Sequence, residues 1–262
     1  GRKGQGPGEL GFPLGLAVTN DRHLVVMDLG NRAFVVYGPD GTYIRNIPLD
    51  RELGIGGRFM MPHPKGGVVF ALNPGLSVRN GAPQMDTTGI KVYWLQSLAE
   101  GATPTLLTRV PEPKMETKVE GSPGSGAVMV MRQAPPAFTP QLNLALTADG
   151  SLVINNSADY HLDVLGANGQ VARRLQRPYA PRKVTEADKD AERKRRAELL
   201  ANGGGTRVMV GGGGGGVRTE QVTREALDRA REGLRNLEFA ESVPVVVSLY
   251  TDPAGRIWVL RS

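Results

Sequence analysis

Short apolar runs alternate with turn residues along most of the chain. Val25-Val26 and Val35-Val36 are β-branched pairs, and Asp40-Gly41 is the dipeptide that a tight hairpin turn favours at positive φ. Turns recur about every 8–12 residues, which is the spacing of an all-β sandwich, barrel or propeller. The pattern of apolar and polar positions therefore predicts an all-β fold.

The same pattern occurs more than once. Residues 16–28 align without a gap with residues 144–156, and residues 35–41 align with residues 163–169 at the same offset of 128 (144 minus 16). The turn glycines keep their positions in both copies. Such a match over some 30 positions indicates an internal structural repeat.

Two further copies are more degenerate. One spans residues 60–110, and the other begins at residue 245 and turns at residues 252–255. We predict propeller blades over residues 1–181, with a long loop at residues 111–139, and a return to a blade over residues 238–262.

Residues 182–237 differ in character from the rest of the chain. Thr185 and Asp188 resemble a capping box ahead of a charged helix, and apolar residues recur at helical spacing over about 220–237. Between these helices, an apolar run at 208–210 is flanked by glycines. The segment is predicted to be a helical, Gly-rich insertion, that is, a helical hairpin between two blades.

Composition excludes several functions. The chain has no Cys, so disulfides, thiol catalysis and thiolate zinc sites are impossible. Of the net charge of +6, residues 182–235 contribute +4 (13 basic and nine acidic residues), and the basic cluster at 193–196 lies on the first predicted helix among acidic residues and without aromatic ones. That pattern is typical of a solvated helix face, and nucleic acid is not an expected partner.

The first copy resembles the NHL repeat. Residues 4–10 (GQGPGEL) and 13–18 (PLGLAV), the acidic turn at Asp28 and the Asn31-Arg32 pair match its pattern over about 45 residues. The resemblance implies a bacterial six-bladed β-propeller that is usually exported, hence a periplasmic or extracellular location. About four blades are visible, so the chain is expected to lack family sequence at one or both ends.

Few residues suggest chemistry. Asp28, Asn31 and Arg32 are expected to hold the turn after the second strand by bonds to the backbone. His23, His63 and His161 fall at non-equivalent repeat positions and in no ligand spacing. No nucleophile elbow or Ser-His-Asp arrangement is visible. We therefore assign no catalytic residue, metal ligand or cofactor.

These observations favour a non-enzymatic scaffold that binds protein partners. A more specific hypothesis is that the protein is an extrinsic subunit of a membrane complex. An anionic membrane surface is a second possible partner. The residues expected to contact partners are Arg193, Lys194, Arg195, Arg196, Val208, Met209 and Val210. The alternatives are a propeller lyase or lactonase acting on a small substrate in a central channel, and a small-ligand sensor.

Overall fold

The computed structural model describes most of the chain. It leaves out residues 1, 2, 51, 52, 54, 74, 75, 80, 81, 86, 87, 112–116, 122–127, 133, 134, 167, 203–206, 212–216, 222, 223 and 253. The chain divides into two compact units. Unit 1 comprises residues 1–134, 148–151 and 166–170, and unit 2 comprises residues 135–147, 152–165 and 171–262.

The described residues of unit 1 form two four-stranded antiparallel sheets. The first sheet contains, in order, β1 (Pro13–Val18), β2 (Leu24–Asp28), β3 (Ala33–Tyr37) and β4 (Tyr43–Pro48). In the second sheet β5 (Ile55–Pro62) pairs with β6 (Val68–Asn73), followed by β9 (Ile90–Leu95) and β10 (Thr105–Val110). Two separate hairpins are β7 (Leu76–Arg79) with β8 (Ala82–Met85), and β11 (Thr117–Gly121) with β12 (Val128–Arg132).

Unit 2 contains all four strands of the third sheet, a helical segment and a strand pair. The third sheet contains β13 (Asn143–Leu146), β14 (Leu152–Asn155), β15 (His161–Leu165) and β16 (Val171–Gln176). Helices α1 (Glu186–Ala201) and α2 (Arg224–Arg235) flank a hairpin of β17 (Arg207–Gly211) and β18 (Val217–Gln221), and the last pair is β19 (Val246–Thr251) with β20 (Ile257–Arg261). The antiparallel sheets confirm the predicted all-β fold of the propeller class.

Strand register follows the internal repeat. Each Cα pair of the third sheet is a pair of the first sheet with 128 added to both numbers, as in Leu16↔Val26 and Leu144↔Ile154. The irregularity between Val36 and Tyr37 also recurs 128 residues later. The structure thus reproduces the predicted copy strand by strand.

The last strand pair is a further copy. Every Cα pair of β19–β20 is a pair of β1–β2 with 233 added (246 minus 13), including the irregularity that follows the first pair. Within the described residues this copy has two strands, whereas the first and third sheets have four.

Each unit buries its own apolar core. In unit 1, Phe34 of the first sheet meets Phe70 of the second edge-on, with ring centroids 4.9 Å apart, and Phe70 stacks on Tyr93 at 5.5 Å. In unit 2, side chains of the third sheet pack against β19. This core consists of Ala145, Val153, Leu162, Val164, Val246 and Leu249. In each unit, neighbouring sheets therefore pack together through their apolar faces.

Helix α1 begins with the predicted capping box, in which Thr185 and Asp188 bond each other's backbone N–H groups. Hydrogen bonds from the Arg182 guanidinium, and then from Thr185, hold the pKa of Asp188 far below its usual range. No residue of α1 is buried. Instead, the guanidinium of Arg193 and the ammonium of Lys189 lie 5.1 and 5.8 Å from the ring centroid of Phe239. Cation–π contacts thus connect this polar helix to Phe239, in the rest of unit 2.

Two stretches contain strands that composition did not predict. The predicted loop at 111–139 includes the β11–β12 hairpin, and the apolar run at 208–210 lies in β17, paired with β18. Each of these strands is next to glycine or proline residues, which is the composition of a loop. The short β-branched runs nevertheless pair as antiparallel strands.

The turn between β1 and β2 contains a strained residue. Arg22 has φ +66°, and its counterpart 128 residues later is Gly150, at φ +87°. A left-handed backbone costs a non-glycine residue about 1 kcal/mol. We expect Arg22→Gly to raise the free energy of unfolding by about 0.5–1 kcal/mol in urea titrations. Replacing Arg45, which is not at positive φ, by glycine should lower stability, and a destabilising Arg22→Gly would refute the assignment of strain.

Candidate functional site

A polar cluster lies on the third sheet, on β15 and β16. His161 and Asp163 are two residues apart in β15, so their side chains project from the same face of the sheet. Arg174 of β16 is the cross-strand partner of Asp163. Strand alternation and hairpin register together bring an imidazole, a carboxylate and a guanidinium to one place.

The three side chains are in direct contact. Nε2 of His161 lies 3.0 Å from Oδ1 of Asp163. Arg174 donates from Nε to the same oxygen at 2.7 Å and from its terminal NH2 nitrogen to Oδ2 at 3.1 Å. This fork fixes the plane of the carboxylate, because both of its oxygens are engaged by one rigid guanidinium.

Asp163 carries a negative charge at neutral pH. Hydrogen bonds from Arg174, and then from His161, lower the pKa of the Asp163 carboxyl below its usual value and outweigh its partial burial. Its side chain is 23% exposed and that of His161 is 28% exposed, so the cluster is half-buried and still accessible to a small molecule.

The backbone under His161 is also fixed. The side-chain amide of Asn155, a buried residue at the end of β14, donates to the carbonyl of His161 at 2.8 Å. The Asn155 carbonyl oxygen accepts in turn from Asn143 at 3.4 Å. These bonds hold the start of β15, and with it the position of the imidazole.

The first copy of the repeat has no such cluster. Its residues at the positions of His161 and Asp163 are Ala33 and Val35, both buried. Because the two copies share strand register, the fold itself requires only apolar residues here. The polar cluster is therefore an addition to the third sheet and is not needed by the repeat.

The arrangement can perform proton transfer. A carboxylate bonded to one imidazole nitrogen selects the tautomer and supports positive charge on the ring. With Nε2 engaged by Asp163, the remaining nitrogen of His161, Nδ1, has no hydrogen-bond partner among the described residues. Nδ1 is the atom that can exchange a proton with a bound molecule.

Another histidine, His23, is paired in a similar way in unit 1. Its Nδ1 lies 2.8 Å from Oδ2 of Asp21, within the turn that follows β1. No guanidinium joins this pair among the residues that the structure describes. The pair is therefore simpler than the cluster on β15 and β16.

His63 is buried in unit 1. Its ring lies 3.9 Å from that of Trp94, centroid to centroid, and its Nδ1 accepts the N–H of Lys65 at 3.1 Å. Burial lowers the pKa of His63 below its usual 6.5. A buried neutral imidazole that also accepts a hydrogen bond at Nδ1 has a structural role here.

This environment makes stability depend on pH. Because the folded-state pKa of His63 is lowered, its contribution to stability is complete above about pH 6.5 and is lost as the pH falls through the folded-state pKa. We expect the urea midpoint to be lower at pH 5 than at pH 7.5, and His63→Gln, which keeps an acceptor, to reduce that difference. An unchanged difference in the variant would show that other groups cause it.

Asp28 and Asn31 form the predicted turn network, whereas the Arg32 guanidinium donates to the carbonyl of Asp50 at 3.0 Å, beyond β4. The buried Asp28 carboxylate accepts the N–H groups of Gly11 (2.7 Å), Phe12 (2.6 Å) and Gly30 (3.0 Å). The Asn31 amide donates to Asp28 at 2.8 Å and also to the carbonyls of residues 4 and 9. These contacts connect residues 4–12 to the end of β2.

The residues predicted to contact partners lie on two different elements. On α1, Arg193 pairs with Asp190, and both Arg195 and Arg196 pair with Glu192. The two guanidinium groups, Arg195 first, lower the pKa of Glu192 to about 2. Lys194 lies between them in the helix, and residues 208–210 lie in β17. Contact of these residues with a protein or membrane stays a prediction.

No three His, Asp or Glu side chains among the described residues are grouped so as to hold a metal ion. None of the described helices combines the length and the hydropathy needed to cross a membrane.

Comparison with known proteins gave matches among solved structures. No family model and no curated protein matches the sequence. The fold is similar to a streptogramin B lyase (10% identity, TM-score 0.34), of which this chain covers 62% while 95% of this chain is aligned. It is also similar to virginiamycin B lyase from Staphylococcus aureus (11%, 0.33; 95% of this chain and 78% of that chain). A gluconolactonase from Xanthomonas campestris aligns with 97% of this chain and 84% of its own (13%, 0.27).

These comparisons correct the expected function. The solved structures that match this chain are lyases and a lactonase, which contradicts the prediction of a non-enzymatic scaffold, and that prediction is not retained. The polar cluster is not a run of consecutive residues in the sequence. The cluster on the third sheet joins residues 161 and 163 to residue 174, eleven positions away, through a hairpin.

Proposed function

We propose that this protein is an enzyme that opens a lactone ring in a small substrate, with His161 as its general acid–base group. The observation that carries the proposal is the Asp163-bound imidazole on a strand whose counterpart in the first copy buries Ala33 and Val35. Positioned acid–base groups of this kind accelerate proton transfer about 10²–10⁴-fold.

Each residue of the cluster has a distinct part. His161 takes a proton through Nδ1 from the reacting group. Asp163 positions the ring and stabilises the imidazolium that forms, while Arg174 keeps Asp163 ionised and fixes its plane. No further protein group is needed for a single proton abstraction.

A general base can open a lactone in two ways. In hydrolysis it removes a proton from water, the water oxygen bonds to the carbonyl carbon, the acyl C–O bond breaks, and the imidazolium returns the proton to the departing alkoxide oxygen. In elimination it removes a proton from carbon, a C=C bond forms, and the alkyl C–O bond breaks to release a carboxylate. Both routes use the same imidazole.

Activity should be measured on a panel of small lactones and cyclic depsipeptides by titrating the carboxylic acid released. We expect His161→Ala to lose the activity and His23→Ala to retain it. The latter is a matched control because His23 is also bonded to an aspartate and is 29% exposed, against 28% for His161. Equal activity of both variants, or no activity of the parent protein on any lactone, would refute the proposal.

Reaction in ¹⁸O-labelled water separates the two routes. Hydrolysis adds one labelled oxygen to the product, whereas elimination adds none, so its product keeps the mass of the substrate and contains a new C=C bond that NMR detects. Either product supports a general base at His161, provided that its formation depends on this residue.

We further infer that the repeats are of NHL type within a six-bladed propeller and that the protein acts outside the cytoplasm. The GQGPGEL and PLGLAV segments of the first copy support this inference. Secretion of the full-length gene product, assayed by cell fractionation, tests the location.

A further inference from the structure

Gln176 lies directly opposite His161 on the third sheet. The two residues are Cα partners in the β15–β16 pair, so their side chains project from the same face, with Cβ atoms about 4.5–5.5 Å apart. The Gln176 side chain is exposed, and its amide has no hydrogen-bond partner among the residues that the structure describes. An amide that can bind another molecule therefore lies next to the imidazole of the polar cluster.

The internal repeat shows that the fold does not require this amide. Subtracting 128 from both numbers converts the His161–Gln176 pair into the Ala33–Pro48 pair of the first sheet. Neither alanine nor proline has a polar side chain, and β3 and β4 still pair at this position. The third sheet thus differs from the first by an imidazole and an amide at one cross-strand pair.

Besides the imidazole, the side chains of strands β13–β16 include two hydrogen-bond donors on this face of the sheet. One is Arg174, which lies opposite Asp163 and is fixed by two bonds to that carboxylate. The other is Gln176. The remaining residues whose pairing places them on this face are apolar: Leu144, Leu146, Leu152, Ile154, Leu165 and Val171. Gln176 is therefore the donor that lies opposite His161 and is available to a bound molecule.

Both routes of lactone opening place negative charge on the carbonyl oxygen of the substrate. In hydrolysis this oxygen becomes an alkoxide when the water oxygen bonds to the carbonyl carbon. In elimination it becomes a carboxylate oxygen as the alkyl C–O bond breaks. Removal of the proton by His161 does not stabilise this charge, whereas an N–H donor close to the oxygen does.

We propose that Gln176 is a second catalytic residue, whose side-chain NH2 group donates a hydrogen bond to the carbonyl oxygen of the lactone while His161 removes the proton. The inference rests on the proposed function, because it names a substrate contact at the same site. Since the contact is made to the carbonyl oxygen, it serves hydrolysis and elimination equally. It also gives β15 the proton-transfer group and β16 the group that binds the developing charge.

Steady-state kinetics of Gln176→Ala and Gln176→Glu on the lactone that the parent protein opens test this contact. Both variants lack the NH2 donor, and glutamate keeps the size of the side chain. We expect each to lower kcat about 10–100-fold with KM changed less than about threefold, which is a smaller loss than at a rigid, buried donor because Gln176 is exposed. Gln170→Ala is the matched control and should have the kinetics of the parent, since Gln170 is an exposed glutamine in the turn before β16.

Ligand binding measured by calorimetry separates charge stabilisation from a structural effect. The two probes are a lactam and a cyclic phosphonate, each with the ring size of the substrate lactone. The lactam has a neutral carbonyl oxygen, whereas the phosphonate has a negative charge at that position. We expect Gln176→Ala to weaken phosphonate binding about 10–100-fold and lactam binding less than about threefold.

The outcomes distinguish this inference from the proposed function. If His161→Ala is inactive but Gln176→Ala and Gln176→Glu retain the kcat of the parent, the general base stands and the Gln176 contact is refuted. A rise in KM at constant kcat, or equal weakening of both probes, also refutes stabilisation of the charged oxygen. If Gln170→Ala loses as much activity as Gln176→Ala, the loss is not specific to position 176. A parent protein that opens no lactone refutes the proposed function and this contact together.

Discussion

Replacing Asp163 by Asn should reduce kcat on the lactone substrate about 10²–10⁴-fold while leaving KM nearly unchanged. The amide is the same size as the carboxylate, so the packing of the sheet is preserved. An amide can, however, present its NH2 group to Nε2 of His161, which stabilises the wrong tautomer and leaves the imidazolium without its counter-charge. Steady-state kinetics on parent and variant measure both constants.

The control for Asp163→Asn is Arg174→Gln. Within this cluster Arg174 contacts only the Asp163 carboxylate. Replacing Arg174 therefore weakens the bidentate contact but retains the Asp163–His161 hydrogen bond. We expect a kcat loss of about tenfold or less for Arg174→Gln. If both variants lose activity equally, or if Asp163→Asn raises KM at constant kcat, Asp163 does not act by positioning His161.

Much of the sheet structure follows from sequence alone. The offset of 128 between residues 16–28 and residues 144–156 also gives the strand register. Apolar alternation, together with the turn glycines at 41 and 169, permits one strand pairing in which the apolar side chains face the core. The degenerate fourth copy is also visible in the sequence from residue 245, but its strand register required coordinates. Its Tyr250 and Trp258 replace Ala17 and Val25, so the register is shared although the residues are not.

The candidate site could not be found in the same way. In the sequence, His161 lies in no metal-ligand spacing and is not at the repeat position of His23. The residue that corresponds to His161 in the first copy is Ala33, which is buried. The sequence does contain a signal for this site, because a His-x-Asp pattern in a strand stands at positions that are apolar in another copy of the repeat. Arg174 becomes part of it only when the hairpin register is known.

Replacing Asp28 by Ala should lower the free energy of unfolding by about 3–5 kcal/mol, because three backbone N–H groups and the Asn31 amide lose a shared buried acceptor at once. Each unsatisfied buried donor costs about 1–3 kcal/mol, and partial entry of water offsets part of the sum. Urea titration followed by circular dichroism measures the loss. Amide exchange at Gly11 and Phe12 should accelerate in the same variant.

Asp40→Ala is the matched control for this loss, since Asp40 accepts the Thr42 N–H at 3.0 Å in an exposed turn. We expect this change to cost about 1 kcal/mol or less, because water replaces the lost acceptor. The contrast decides between two roles of the Asp28 turn. If only Asp28→Ala strongly lowers the free energy of unfolding, the Asp28 carboxylate connects residues 4–12 to β2, and all of its hydrogen-bonding capacity is used within the protein. A loss below about 1 kcal/mol would mean that the four donors find other acceptors and that the turn network is dispensable for folding.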